Sequence, residues 1–169
     1  MNIKNSNNSP IILAIETATE ACSAALAIGK KITTRFTLAP REHTKLILTM
    51  MDEVLEEADV KLTQVDAIAF SRGPGAFTGV RIAAGVAHGV ALSMDKKILP
   101  ISTLAAIAQQ MQQEQGAEHC LAAIDARMGE VYWGRYSVEK GFMTLQGEET
   151  VTKPVNLLET INPKNNATI

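Results

Sequence analysis

Apolar and polar positions fall along this chain in short blocks that can be taken one at a time. Ile11 to Glu16 (IILAIE) is a continuous apolar run closed by a carboxylate, the pattern of a strand buried on both faces. Thr17 to Glu20 makes a turn, Ala21 to Ile28 a second strand, Gly29-Lys30 a hairpin turn and Lys31 to Leu38 a third strand. From Arg41 to Asp59 the period changes. His43, Leu46, Ile47, Met50, Met51, Val54, Leu55 and Ala58 recur at helical steps, which predicts an amphipathic helix. Val65 to Phe70 is a fourth strand, Phe77 to Ser93 a helix, Lys97 to Ile101 a fifth strand and Thr103 to Gln115 a helix that turns Gln-rich. Cys120 to Asp125 (CLAAID), Glu130 to Val138 and Phe142 to Glu148 follow as strands, and VNLLETI after Lys153-Pro154 predicts one short helix.

The order of elements repeats. A strand ending in an acid, then a hairpin of two strands, occurs from Ile11 to Leu38 and again from Cys120 to Glu148, with little identity between the copies. Such internal similarity points to a duplicated lobe. The chain is therefore expected to hold a flexible polar lead over 1–10, an N-terminal lobe over 11–102 and a C-terminal lobe over 103–169. After its hairpin the first lobe continues through helix, strand, helix and strand. The second has room for one short helix, VNLLETI, before a polar tail, so the C-terminal lobe is expected to be incomplete.

The stretch from Ala69 to Gly89 (AFSRGPGAFTGVRIAAGVAHG) joins the fourth strand to the second helix through Ser71-Arg72-Gly73-Pro74-Gly75. Such a loop can cradle a phosphate at a helix N-terminus, or it can be a tight turn that lets two backbones meet. Neither GxxxxGK[ST] nor GxGxxG is present, which favours packing. The helix carries Gly79, Gly85 and Gly89, each costing about 1 kcal/mol relative to alanine, so close packing against a neighbour is expected as compensation.

Composition changes this picture little. The 169 residues are 46% hydrophobic and 20% charged with a net charge of -2, an ordinary globular balance without a global pull toward nucleic acid or anionic membranes. Cys22 and Cys120 lie far apart in apolar runs, the pattern of buried thiols in a reducing cytoplasm. The Asn-rich start is neither a signal peptide nor a membrane span.

Candidate chemistry is sparse. His43, His88 and His119 form no HxxxH or HExxH pair, so no metal site is expected. Ser71, Ser102 and Cys22 could serve as nucleophiles, but no histidine is placed beside them, which argues against a protease. Arg72, Arg81, Arg127 and Arg135, with Tyr132, Trp133 and Tyr136, could contact RNA, although alternating aromatics on a strand are better explained by packing. Partner binding is the role best supported. The first helix has apolar residues beyond one stripe, the second is lined with small residues, and methionines suit an adaptable surface. Leu46, Met50, Met51, Gly79, Val80, Ala83, Ala84 and Ala87 are the expected interface, with Met50→Asp and Ala83→Asp expected to lower oligomer mass without unfolding.

ILAIETATEACSAAL, PREHTKLILTM, SRGPGAFTGVRIAAGVAHGVAL and LAAIDARMGEVYWGRY resemble the TsaB (YeaZ) family over Ile11 to about Pro154. The resemblance implies an actin/Hsp70-like (ribonuclease H-like) α/β fold with duplicated lobes of mixed sheet. It also implies a non-catalytic cytoplasmic scaffold in the making of threonylcarbamoyladenosine on transfer RNA. The implied partners are a TsaD-like sister subunit that carries the metal and the chemistry, and a TsaE-like ATPase. A homodimer is implied in isolation, the pairing running through the first two helices, with transfer RNA engaged indirectly. In that superfamily Glu16, Thr17 and Asp125 sit where a nucleotide cleft is lined, so weak ATP or ADP binding, and a weak kinase-like ATP-binding enzyme, stand as the alternative. Glu16 replaces the Asp expected in most relatives, and the chain stops earlier than theirs.

Overall fold

The structure is a computed structural model that describes residues 9–161, with side chains described as far as Leu157. The polar lead expected over 1–10 falls largely outside the described residues, as does the polar tail NPKNNATI. The described residues form two compact units, one made of the chain up to Arg72 with Ala76–Ile101, the other of Gly73–Gly75 with the chain from Ser102.

The first unit is a five-stranded mixed sheet with two helices. Strands β1 (Ile11–Glu16), β2 (Ala21–Ile28), β3 (Lys31–Leu38), β4 (Ala67–Ser71) and β5 (Lys97–Ile101) lie in the order β3-β2-β1-β4-β5. The β1–β2 and β2–β3 pairs are antiparallel, whereas β4 runs parallel to both β1 and β5. Helices α1 (His43–Glu57) and α2 (Phe77–Ser93) feed one core with Leu13, Ile15, Cys22, Leu26, Ile68 and Phe70 of the sheet. α1 is shorter at both ends than the helix expected from Arg41 to Asp59. Arg41 sits at φ 69° before it, and Asp59 at φ 53° after it, where the Val60 N–H returns to the Leu55 carbonyl at 3.0 Å and closes the last turn. A 3-10 turn at Leu62–Gln64, too short to leave an apolar period, precedes β4.

The second unit packs α3 (Thr103–Gln115) on an antiparallel sheet of β6 (His119–Arg127), β7 (Glu130–Glu139) and β8 (Phe142–Thr152), followed by α4 (Pro154–Ile161). Its core is Leu104, Ala108, Ala122, Tyr136 and Met143. Ser102 caps α3, its hydroxyl oxygen accepting from the N–H groups of Leu104 at 3.1 Å and Ala105 at 3.3 Å. The same hydroxyl donates to Oε1 of Glu149, which also accepts from the Tyr136 hydroxyl at 2.6 Å. β8 thereby ties the start of α3 to the centre of β7.

Candidate protein-docking face

The loop after β4 is a junction of backbones. The Arg72 N–H donates to the Ile101 carbonyl at 2.8 Å and the Ala76 N–H to the Ala18 carbonyl at 2.7 Å, so two of its amides are committed before any anion could use them. Thr17 is fully buried and its Oγ1 donates to the Gly79 carbonyl at 2.7 Å. A Cβ on Gly79 would lie 2.0 Å from the Thr17 carbonyl oxygen, so glycine is needed there for the turn after β1 to touch the first turn of α2.

One glycine of α2 thus has its reason inside the unit. The other two do not. A Cβ at Gly85 or Gly89 would meet nothing within 4 Å. They share the outer side of α2 with Arg81, whose guanidinium stacks 3.4 Å from the centre of the exposed Phe77 ring, and with Leu92, which is 86% exposed. On α1, Leu48 is the large apolar residue left in solvent.

None of the residues expected to meet a partner lies on the exposed outer side of α2. Met50, Met51, Gly79, Ala83 and Ala87 are buried in the first unit's own structure, and Leu46, Val80 and Ala84 are half-buried. Met50→Asp and Ala83→Asp would therefore place a charge in the core and unfold the unit, which corrects their expected use as interface probes. The stripe 79-83-87-91 faces the sheet, and 81-85-89-92 is its back. Helical phase distinguishes the two, but with alanine and glycine on both sides the sequence offers almost no contrast in polarity to say which is which.

The groups expected at a nucleotide cleft are locally engaged. Oε1 of Glu16 accepts from the Ala18 N–H in the turn after β1, and Oδ1 of Asp125 accepts from the Arg127 N–H at 2.7 Å where the register of β6 shifts, so each acid is engaged by the backbone two residues ahead. Thr17 is committed to Gly79. Among the histidines, the buried His43 places Nε2 3.2 Å from the Ala21 carbonyl, and the exposed His88 meets Phe70 edge-on with centroids 5.7 Å apart. Burial, with a smaller push from the Glu16 charge, raises the pKa of the Cys22 thiol, and burial raises that of Cys120, the reverse of an activated nucleophile. Trp133 and Tyr136 are buried and Tyr132 half-buried, so only part of the proposed stacking set is open. Among the described residues no group of three His, Cys, Asp or Glu could hold a metal, and no helix is long and apolar enough to cross a membrane.

The fold is of the actin/Hsp70-like α/β class. A family model described as "TsaD: tRNA N6-adenosine threonylcarbamoyltransferase" matches residues 31–168. The tRNA threonylcarbamoyladenosine biosynthesis protein TsaB of Escherichia coli is 49% identical over 144 residues, covering 85% of this chain and 62% of that protein. Its namesake in Haemophilus influenzae is 51% identical over 129 residues, covering 76% and 55%. A solved structure of YeaZ from Pseudomonas aeruginosa superposes with a TM-score of 0.83 at 50% identity, covering 86% of this chain and 68% of that one. Another, of the same score, is described as an uncharacterized protein similar to a YeaZ peptidase. The chain belongs to the TsaB (YeaZ) family, and it spans about three fifths of the length of the curated relatives first matched.

Proposed function

We propose that this chain is a cytoplasmic, non-catalytic subunit in the making of threonylcarbamoyladenosine on transfer RNA, docking a TsaD-like sister subunit through the outer side of α2. The observation that carries this is the Gly85/Gly89 pair. Glycine in a helix costs about 1 kcal/mol relative to alanine, and neither glycine is required by anything in its own unit. Two positions without Cβ atoms let another helix come close at that point, and the exposed Leu92 and Phe77 offer apolar anchors. The names of the relatives supply the reaction, and the backbone-engaged acids and protonated thiols supply the argument against catalysis by the chain itself. Partner chemistry is assigned to the sister subunit and a TsaE-like ATPase, with transfer RNA reached through them. In their absence the same face makes a homodimer.

The test is reconstitution with the sister subunit, the ATPase, a threonylcarbamoyl-adenylate source and transfer RNA, each omitted in turn. Modification should depend on this chain and fall at least about tenfold with Gly89→Leu or Leu92→Asp, each leaving the chain folded by circular dichroism. Modification that proceeds equally without the chain overturns the scaffold role. Hydrolysis of ATP or of a peptide by the isolated chain overturns the absence of catalysis.

A further inference from the structure

Strand β3 is an edge of the first unit's sheet and one of its faces is apolar. Thr33 is buried and Arg35 reaches Glu53 at 2.9 Å and Glu57 at 2.7 Å on α1, so odd positions face the helix. Alternation turns Ile32, Thr34, Phe36 and Leu38 to the opposite face, where Ile32 is 64%, Phe36 67% and Leu38 71% exposed. A long edge strand with an open apolar face is a template for another strand.

We infer that β3 pairs with β3 of a second copy of this chain, antiparallel and centred on Thr34. A two-fold axis through the sheet keeps both apolar faces on the same side, which requires residues of equal parity to oppose each other. Centring on Thr34 then sets Ile32 of one copy opposite Phe36 of the other, twice, with Thr34 facing its own equivalent between them. Aromatic with β-branched, and threonine with threonine, are the cross-strand pairs that stabilise sheets. The charges agree with this register. Lys31 falls opposite Thr37 and Arg35 opposite Thr33, so no cation meets another. The occupant is a second copy, because this register pairs the exposed Ile32 with the exposed Phe36 twice and sets no cation directly opposite another. A contact confined to one edge strand is a small interface, so the dimer belongs at high protein concentration.

This contact is independent of α2, and the experiment uses a Leu92→Asp background to silence that face. Sedimentation velocity over a concentration series should show reversible dimers. Ile32→Glu alone sets an acid against phenylalanine twice, and Phe36→Lys alone sets a cation against isoleucine twice; each should weaken the dimer about tenfold or more. Mixing the two variants makes one acid–cation pair and restores one native pair, so association should return in the mixture and not in either component. A Leu92→Asp chain that stays monomeric at every concentration overturns the inference. So do dimers unaffected by either substitution, or a mixture that associates no better than its parts.

Discussion

The contact between Thr17 and Gly79 joins two positions that no local pattern connects. Thr17 lies in the turn after β1, and Gly79 in the first turn of α2. Gly79→Ala drives a methyl into a backbone carbonyl that cannot step aside, and should lower stability by about 2–3 kcal/mol in denaturant titration. Thr17→Val leaves the Gly79 carbonyl without its hydroxyl and should cost about 1–2 kcal/mol. Gly85→Ala and Gly89→Ala meet only open space and should each raise stability by about 0.5–1 kcal/mol, and under the docking proposed above they should weaken capture by a TsaD-like subunit. Three glycines of one helix thus answer differently to the same substitution. That division was not legible in the sequence, where all three read as one small-residue helix, because it depends on which turn of another segment lies against each.

At the scale of elements, most of the fold was legible. Short apolar runs and turn residues located every strand of the first sheet, and the Gly29-Lys30 turn joins β2 to β3 as expected. The ends of α1 were less so, since left-handed Arg41 and Asp59 are set by the chain's path and not by apolar period. β8 extends beyond the expected Glu148 to Thr152, its polar segment held by pairing to β7. That extension brings Glu149 within reach of Ser102 and Tyr136, a cluster without any sequence motif. Ser102→Ala removes both the cap of α3 and one hydroxyl from the Glu149 carboxylate. It should cost about 1–2 kcal/mol, read as a lower urea midpoint with an unchanged slope.

For the molecule as a whole, the repeated strand–hairpin order was the most informative feature of the sequence. β1-β2-β3 and β6-β7-β8 are both antiparallel three-strand sets, and in the first unit β1 also pairs in parallel with β4. The small-residue segment was legible as a helix but its sides were not, and five of the eight residues expected at an interface are buried in the first unit. Each unit holds a thiol whose pKa is raised by burial, above an ordinary value of 9.0. In that case the stabilising contribution is complete below the unfolded thiol's pKa and is lost as pH rises through it toward the folded value. Stability should accordingly decline above about pH 8.5–9, and Cys22→Ala should flatten part of that decline in denaturant melts followed across alkaline pH.

The bare middle of α2 has a consequence for solvent. Without Cβ atoms at Gly85 and Gly89, water can crowd the outward carbonyls of those turns and compete for their amide protons. Deuterium should enter there sooner than in the central turns of α1, whose outer side is shaded by longer side chains. The signal should then slow when a visiting helix shuts the water out, so isotope uptake would mark both the place and the moment of docking.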